Sequence, residues 1–464
     1  MRPNVLIAST LLLCSVGCTV GPKYARPKLD VPGGYRAAAP ELKSEQPNES
    51  LGDEKWFGVF QDEQLQALIC TALRQNYNAQ IAAERVIAAQ AQLGITRSDQ
   101  RPNLAIGAGV ASTRTQLTSL SPVYQAETAQ LGTAASWELD FWGKYRKSTE
   151  AARANLAATE WGRKAVISTL VSNVASSYFQ LRALDLELEI TLETLKSRQE
   201  SLRLTQLLAE NGATPMMDVR QAEQLVYAAS AAIPDLERQI AQQENALSLL
   251  VGQNPGPIAR GVSLVDQKRS PVVPAGVPSD LIARRPDIRA AEEQLIAANA
   301  QIGVAKAQYF PTISLTGNVG TQSTALSSLF SGPATLWNVG PTVTQPVYIG
   351  GRLKNNVRLA ESQQRQALLD YRQTVQGAFR DVSDSLTSYQ KSREVREHQE
   401  KLMEAAKDAS RLAEIRYKGG STAYLEVLTN NTNYYSAELS LAQARLGEML
   451  SLVQLYGALG GGWQ

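Results

Sequence analysis

Two hydrophobic periods run along this chain. Ile167, Val174, Leu181, Leu188, Leu195, Leu202 and Ala209 recur at strict seven-residue spacing. A heptad position held apolar that long is a coiled-coil seam. It predicts one helix over Lys144–Ala209, about 100 Å long at 1.5 Å per residue. Leu368, Val375, Val382 and Tyr389 repeat the spacing and predict a second such helix over Arg352–Tyr417. Proline, which kinks or breaks helices, is absent between Pro122 and Pro215 and from Val347 onward.

The second period is two. Leu131, Thr133, Ala135, Trp137, Leu139 and Phe141 alternate with small or polar residues. Ile313, Leu315 and Val319 do the same, as do Leu104, Ile106, Ala108 and Val110. Trp337, Val339 and Val343 form a fourth segment, interrupted by Pro341. Segments of about ten residues with one apolar face, ending near Trp or Phe, are those of a transmembrane β-barrel.

The elements occur twice. Each long helix leads to a turn and a second helix: Asn211-Gly212-Ala213-Thr214-Pro215, with Pro215 expected inside the next helix start, and Lys418-Gly419-Gly420-Ser421-Thr422. Gly212 and Gly419 are 207 positions apart, Gly143 and Gly350 likewise, Asp218 and Glu426 are 208 apart, and Pro102 and Pro311 are 209 apart. A near-constant offset at four landmarks is a tandem duplication. Four strands cannot close a barrel, which needs about eight or more, and open strand edges cannot face lipid. The chain therefore oligomerises, two or three copies giving eight or twelve strands, as a duct with a long helical bundle.

The N-terminus adds an address. Arg2 precedes the apolar run Val5–Leu13, too short to span a membrane and the right length for a signal-peptide core. The run ends in Ser15-Val16-Gly17-Cys18, a small residue directly before Cys, where a lipoprotein signal is cut and the Cys acylated. Ser15 stands where Leu is usual. With Cys18 acylated, Cys70 has no partner for an intrachain disulfide.

Composition removes several function classes. Of 464 residues, 46 are Lys or Arg and 44 Asp or Glu, so no basic excess points to nucleic acid. One histidine, His398, argues against a His-based metal site or a catalytic triad, and reads as a solvated position. No Gly-x-Ser-x-Gly elbow, Walker loop, His-Glu-x-x-His or Cys-x-x-Cys occurs. No catalytic or metal site and no cofactor is expected, apart from lipid on Cys18.

The whole chain resembles the TolC-like outer membrane efflux protein family, and most its lipoprotein branch serving resistance-nodulation-division (RND) pumps, the NodT/OprM-like outer membrane factors. The resemblance rests on Gly17-Cys18-Thr19-Val20-Gly21-Pro22-Lys23-Tyr24, on Trp56, Phe60, Asp62 and Leu65, and on Ser136-Trp137-Glu138-Leu139-Asp140. Arg284-Arg285-Pro286-Asp287-Ile288, Tyr424-Leu425-Glu426-Val427-Leu428 and the tail Leu459-Gly460-Gly461-Gly462-Trp463 complete it. It implies a mixed α and β membrane protein. In that fold a trimeric twelve-stranded outer-membrane barrel, four strands per chain, is continuous with a coiled-coil periplasmic tunnel. It also implies a homotrimer in outer membrane lipid, a periplasmic adaptor (membrane fusion) protein and an inner-membrane RND transporter. The duct is passive and exports drugs or other small toxic compounds.

In the family the periplasmic mouth is closed at the two turns. The resemblance carries a gate role to Asp218, Tyr417 and Glu426. Thr422 stands where some relatives have Arg, and Thr429 and Asn430 replace the common Asp-Ala, so these three enter as neutral gate candidates. The expected organisation is a lipoprotein signal over 1–17, an extended segment over 18–61, a first repeat over 62–255, a linker over 256–285, a second repeat over 286–457 and a tail over 458–464. Arg285-Pro286-Asp287 is read as a helix start, and Glu138 and Asp140 as lumen-facing or as markers of a strand-to-helix joint. The alternatives are a copper or silver efflux channel, a periplasmic adaptor, and a structural periplasm-spanning coiled-coil lipoprotein.

Overall fold

The computed structural model describes residues 19–35, 50–116, 118, 122–267 and 278–463. The signal segment and Cys18 lie outside them. The chain divides into two compact units. One takes in the described residues up to Lys28 with Arg85–Glu160 and Ala290–Arg372, the other Leu29–Glu84, Trp161–Arg289 and Gln373–Gln464. In order the elements are α1 (Glu63–Gln75), α2 (Tyr77–Ser98), β1 (Asn103–Thr115), β2 (Tyr124–Leu139), α3 (Lys144–Glu210), α4 (Met216–Val251), α5 (Pro278–Arg284), α6 (Pro286–Ala307), β3 (Thr312–Ser323), β4 (Thr335–Thr344), α7 (Arg352–Lys418) and α8 (Tyr424–Ala458). A single helical turn at Trp56–Val59 precedes α1.

The first unit holds one antiparallel sheet in the order β1-β2-β3-β4, so β1 and β4 are open edges within one chain. Residues directly opposite in an antiparallel ladder share a face. Ile106 faces Thr133, which faces Val319, which faces Trp337. The neighbouring rows on that face hold Leu104 and Val339, and Trp137 and Leu315. The opposite face carries Asn318 opposite Asn338 and Gln130 opposite Gln322. The apolar face is bare: Ile106 is 78% and Val110 81% exposed. A mostly apolar, uncovered sheet face belongs in lipid or against a partner. No helix of the described residues is long and apolar enough to cross a membrane; the alternating strands are what fit one.

The joint from β2 to α3 has a chemical cause. Asp140 accepts from the backbone N–H groups of Tyr145 (3.1 Å) and Arg146 (2.8 Å), satisfying donors that a helix start leaves open. Glu138 takes the Lys144 ammonium at 3.0 Å and the Tyr145 hydroxyl at 2.9 Å. Both acids thus serve the strand-to-helix joint. The N-terminal strap is pinned beside it. Val20 N–H donates to Trp142 O at 3.1 Å, and the Trp142 ring stacks on Phe310 at 4.8 Å. Arg26 pairs with the buried Glu292 at 2.9 Å.

In the second unit the heptad residues turn inward as their spacing dictates: Val174 and Leu181 of α3 and Val375 and Val382 of α7 are buried. Phe60 packs edge-on against Phe179 and Tyr456. Asp62 caps α1 through the N–H groups of Gln64 and Leu65 and also accepts the Tyr178 hydroxyl. Pro286 opens α6 as expected, with the Arg285 guanidinium held by Asp287 at 2.6 Å and Asp381 at 3.3 Å. His398 is exposed.

Candidate functional site at the two helix reversals

The site residues read from the sequence gather where α3 passes into α4 and α7 into α8, both within the second unit. At the first reversal Gly212 takes φ +71°, and Ala213 N–H reaches back to Leu208 O at 2.8 Å. At the second, Gly420 takes φ +68°, and Ser421 N–H reaches Arg416 O at 2.9 Å. This is the helix-ending pattern in which a left-handed residue exposes the last carbonyls to donors behind it. The left-handed position belongs to Gly420, not Gly419, so the two turns are 208 positions apart, matching Asp218 and Glu426. Pro215 is the N-cap of α4, with extended backbone at φ −74° and ψ 153°, rather than its first helical residue.

Each acid is held by the threonine four residues before it. Thr214 donates its hydroxyl to Asp218, and Thr422 to Glu426. The acids sit in the first turns of α4 and α8, where the helix dipole favours negative charge. Their charge environments differ. Glu426 also pairs with Arg416, Nη1 to Oε1 at 2.9 Å; among the described residues no cation pairs with Asp218.

Tyr417 joins neither acid. Its ring lies 5.3 Å from Tyr424, and it packs with Leu202 and Leu428 against Ala222, Ala413 and Val427. Its hydroxyl is buried without a hydrogen-bond partner. Burial also raises the Tyr424 phenol above the usual tyrosine range. Thr429 and Asn430 turn onto their own helix, bonding Leu425 O and Glu426 O, each at 2.8 Å. The structure therefore builds two equivalent acid-bearing turns over a small apolar layer. The Thr-x-x-x-acid spacing at both turns is the sequence signal that points to Thr214 as well as to Thr422.

The comparisons agree with this architecture. The family model for outer membrane efflux protein matches residues 68–253 and again 277–461, once per repeat. The chain is 34% identical over its whole length, and the whole of the relative, to the cation efflux system protein CusC of Escherichia coli O6:H1. It is 36% identical to the probable efflux pump outer membrane protein TtgC of Pseudomonas putida, covering all of this chain and 96% of that one. The open-state crystal structure of the Neisseria gonorrhoeae MtrE outer membrane channel superposes with a TM-score of 0.85 at 32% identity, over 96% of this chain and 99% of the other. The fold is that of the trimeric channels with four strands per chain and long helices. Such channels work as homotrimers with an adaptor and an inner-membrane RND component, and need no cofactor. The chain belongs to the outer membrane efflux protein family: it is the passive outer-membrane channel of an efflux system, reaching into the periplasm, and not an enzyme.

Proposed function

We propose that this channel is closed at rest at its periplasmic mouth, and that the two reversals form the closure. Asp218, Tyr417 and Glu426 hold it, with Thr422, Thr429 and Asn430 as neutral contributors. The observation that carries the reading is the matched pair of threonine-held acids on equivalent first turns. In a trimer each acid appears three times around one axis, so weak local contacts act together, and a ring of carboxylates favours cations in the passage. The sequence halves over 62–255 and 286–457, joined by the linker over 256–285, supply one reversal each.

Cys18 carries the lipid anchor. Thr19 follows it and rests against Gly143, at the β2–α3 joint, where a Cβ on the glycine would meet Thr19 Cγ2 at 3.0 Å. The passengers are drugs or other small toxic compounds delivered by the pump. A second reading, metal-ion efflux such as copper or silver, is favoured by the relative named for cation efflux.

The closure is tested by single-channel conductance of the reconstituted trimer. Replacing Asp218 and Tyr417 together by Ala raises resting conductance and lets large antibiotics leak into cells. A normally assembled double variant that conducts like the parent refutes the assignment.

A further inference from the structure

Arg198, on α3, is a buried guanidinium, 6% exposed. Its Nη1 donates to the backbone carbonyl of Leu225 in α4 at 2.9 Å. Its Cζ stands 5.0 Å from the ring centroid of Tyr435 in α8. Its Nε has no acceptor, and among the described residues no carboxylate pairs with it. Burial pulls the group below the usual arginine range, while the nearby Tyr435 and Tyr424 phenols act the other way. It stays charged at neutral pH all the same.

A charge buried without a counter-ion is unfavourable, and an apolar side chain of similar volume would pack at lower cost. The guanidinium does what Leu or Met could not: it binds a carbonyl on one helix and an aromatic face on another at once. The Tyr435 ring is fixed at its tip too. Thr191 of α3 spends its hydroxyl proton on Glu187 O at 2.7 Å, so the Tyr435 hydroxyl, 3.0 Å away, donates to Thr191. Between this layer and the reversals lies the apolar cluster of Leu202, Ala222, Ala413, Tyr417 and Tyr424. Apolar contact is non-directional and tolerates sliding; the Arg198 layer is directional. Among the described residues the arrangement occurs once. The repeat-equivalent positions, 208 residues away, are Ala406 and Tyr227, and Tyr227 is 69% exposed.

We propose that Arg198 is a positioning residue of the channel's closure: a brace tying the α3–α4 hairpin to α8, so that the tip of the α7–α8 hairpin moves only when the Arg198–Tyr435 contact breaks. This rests on the closed-mouth reading above. A contact that exists only while α8 lies against α3 favours that arrangement, and its loss shifts the population away from it.

The test uses the full-length trimer in planar bilayers, with heated-gel trimer stability as the check on assembly. The variants are Arg198→Met, Tyr435→Leu, Tyr435→Phe and the double Arg198→Met/Tyr435→Leu. Arg198→Met and Tyr435→Leu each raise the conducting fraction about tenfold, the scale expected for one lost buried cation–π contact. The double variant goes no further than either single, and Tyr435→Phe, which keeps the ring, stays near the parent. If Arg198→Met does not assemble, Tyr435→Leu against Tyr435→Phe carries the test alone. Parent-like conductance of Arg198→Met, additive effects in the double variant, or equal behaviour of Tyr435→Leu and Tyr435→Phe overturns the brace. The Asp218/Tyr417 double alanine variant separates the two ideas. If it opens the channel and Arg198→Met does not, the brace falls and the closure stands. If it does not while the brace variants act non-additively, the brace stands and those two residues lose their role.

Discussion

Arg416 and Glu426 are paired across the second reversal at 2.9 Å, while Asp218, in the equivalent place at the first, takes the Thr214 hydroxyl and, among the described residues, no cation. Two acids that look interchangeable in sequence therefore present different net charge. Asp218→Asn should lower the channel's cation preference more than Glu426→Gln, and Arg416→Gln should raise it. Reversal potentials in a salt gradient measure this. Because the pair is half exposed, Arg416→Gln should move trimer stability by no more than about 0.5 kcal/mol. Equal effects of the two acid substitutions would remove the asymmetry.

Acylation at Cys18 is expected from the Gly17-Cys18 junction. Thr19 lacks the acid that marks inner-membrane retention, so the outer membrane is the destination. Mass spectrometry of the mature protein should find a lipidated N-terminal Cys18. One acyl chain alone anchors only marginally, but a lipoprotein Cys typically carries three, and the barrel holds the membrane too, so Cys18→Ser should lower yield without abolishing conductance.

Two left-handed glycines should respond differently to alanine. Gly420 has φ +68° and open space where a Cβ would go. Gly420→Ala should cost about 1–2 kcal/mol, the left-handed penalty alone. Gly252 has φ +81°, and its Cβ would meet Gln75 O at 2.4 Å. Gly252→Ala should therefore damage assembly far more, read as the temperature at which trimers dissociate on gels.

The seam between α3 and α8 should stabilise on mild acidification. Burial raises the Glu438 carboxyl above the usual range, and Glu193 across the seam adds to it, against Tyr434 and Lys407. Burial raises Glu187 likewise, with Gln443 opposing. A carboxyl with a raised folded pKa binds its proton more tightly in the folded state. Its stabilisation is full below the ordinary pKa of about 4.3 and lost as pH climbs through the raised value. Thermal stability of the trimer should rise as pH falls from neutral toward that window. Glu438→Gln should be more stable than the parent at neutral pH, with a flatter profile. A parent-like profile would mean that the seam is hydrated.

Much of the architecture was legible because it is local. The heptads of α3 and α7 and the alternation in all four strands follow from side-chain direction along a helix or strand, which any short window reveals. The long helices begin at Lys144 and Arg352, as the sequence predicts. At the reversals, Gly-rich turns and following acids were readable too, although Gly420 rather than Gly419 takes the left-handed conformation, since which of two adjacent glycines does so depends on the helix-end hydrogen bonds.

By itself, then, the sequence determined the element types, their duplication, the apolar strand face and the need for further copies, all consequences of periodicity and of open edges that lipid cannot satisfy. Only the tertiary structure decided which polar groups meet. Arg198 reads as one more charge on a helix until α4 and α8 bury it between Leu225 O and the Tyr435 ring. Tyr417 reads as a gate residue beside the two acids, yet it lies on Tyr424 with its hydroxyl unpaired. Pairing across helices depends on rotation and register between segments, whether joined by a short turn, as Tyr417 and Tyr424 are, or far apart, as Arg198 and Tyr435 are, and no local pattern carries that information.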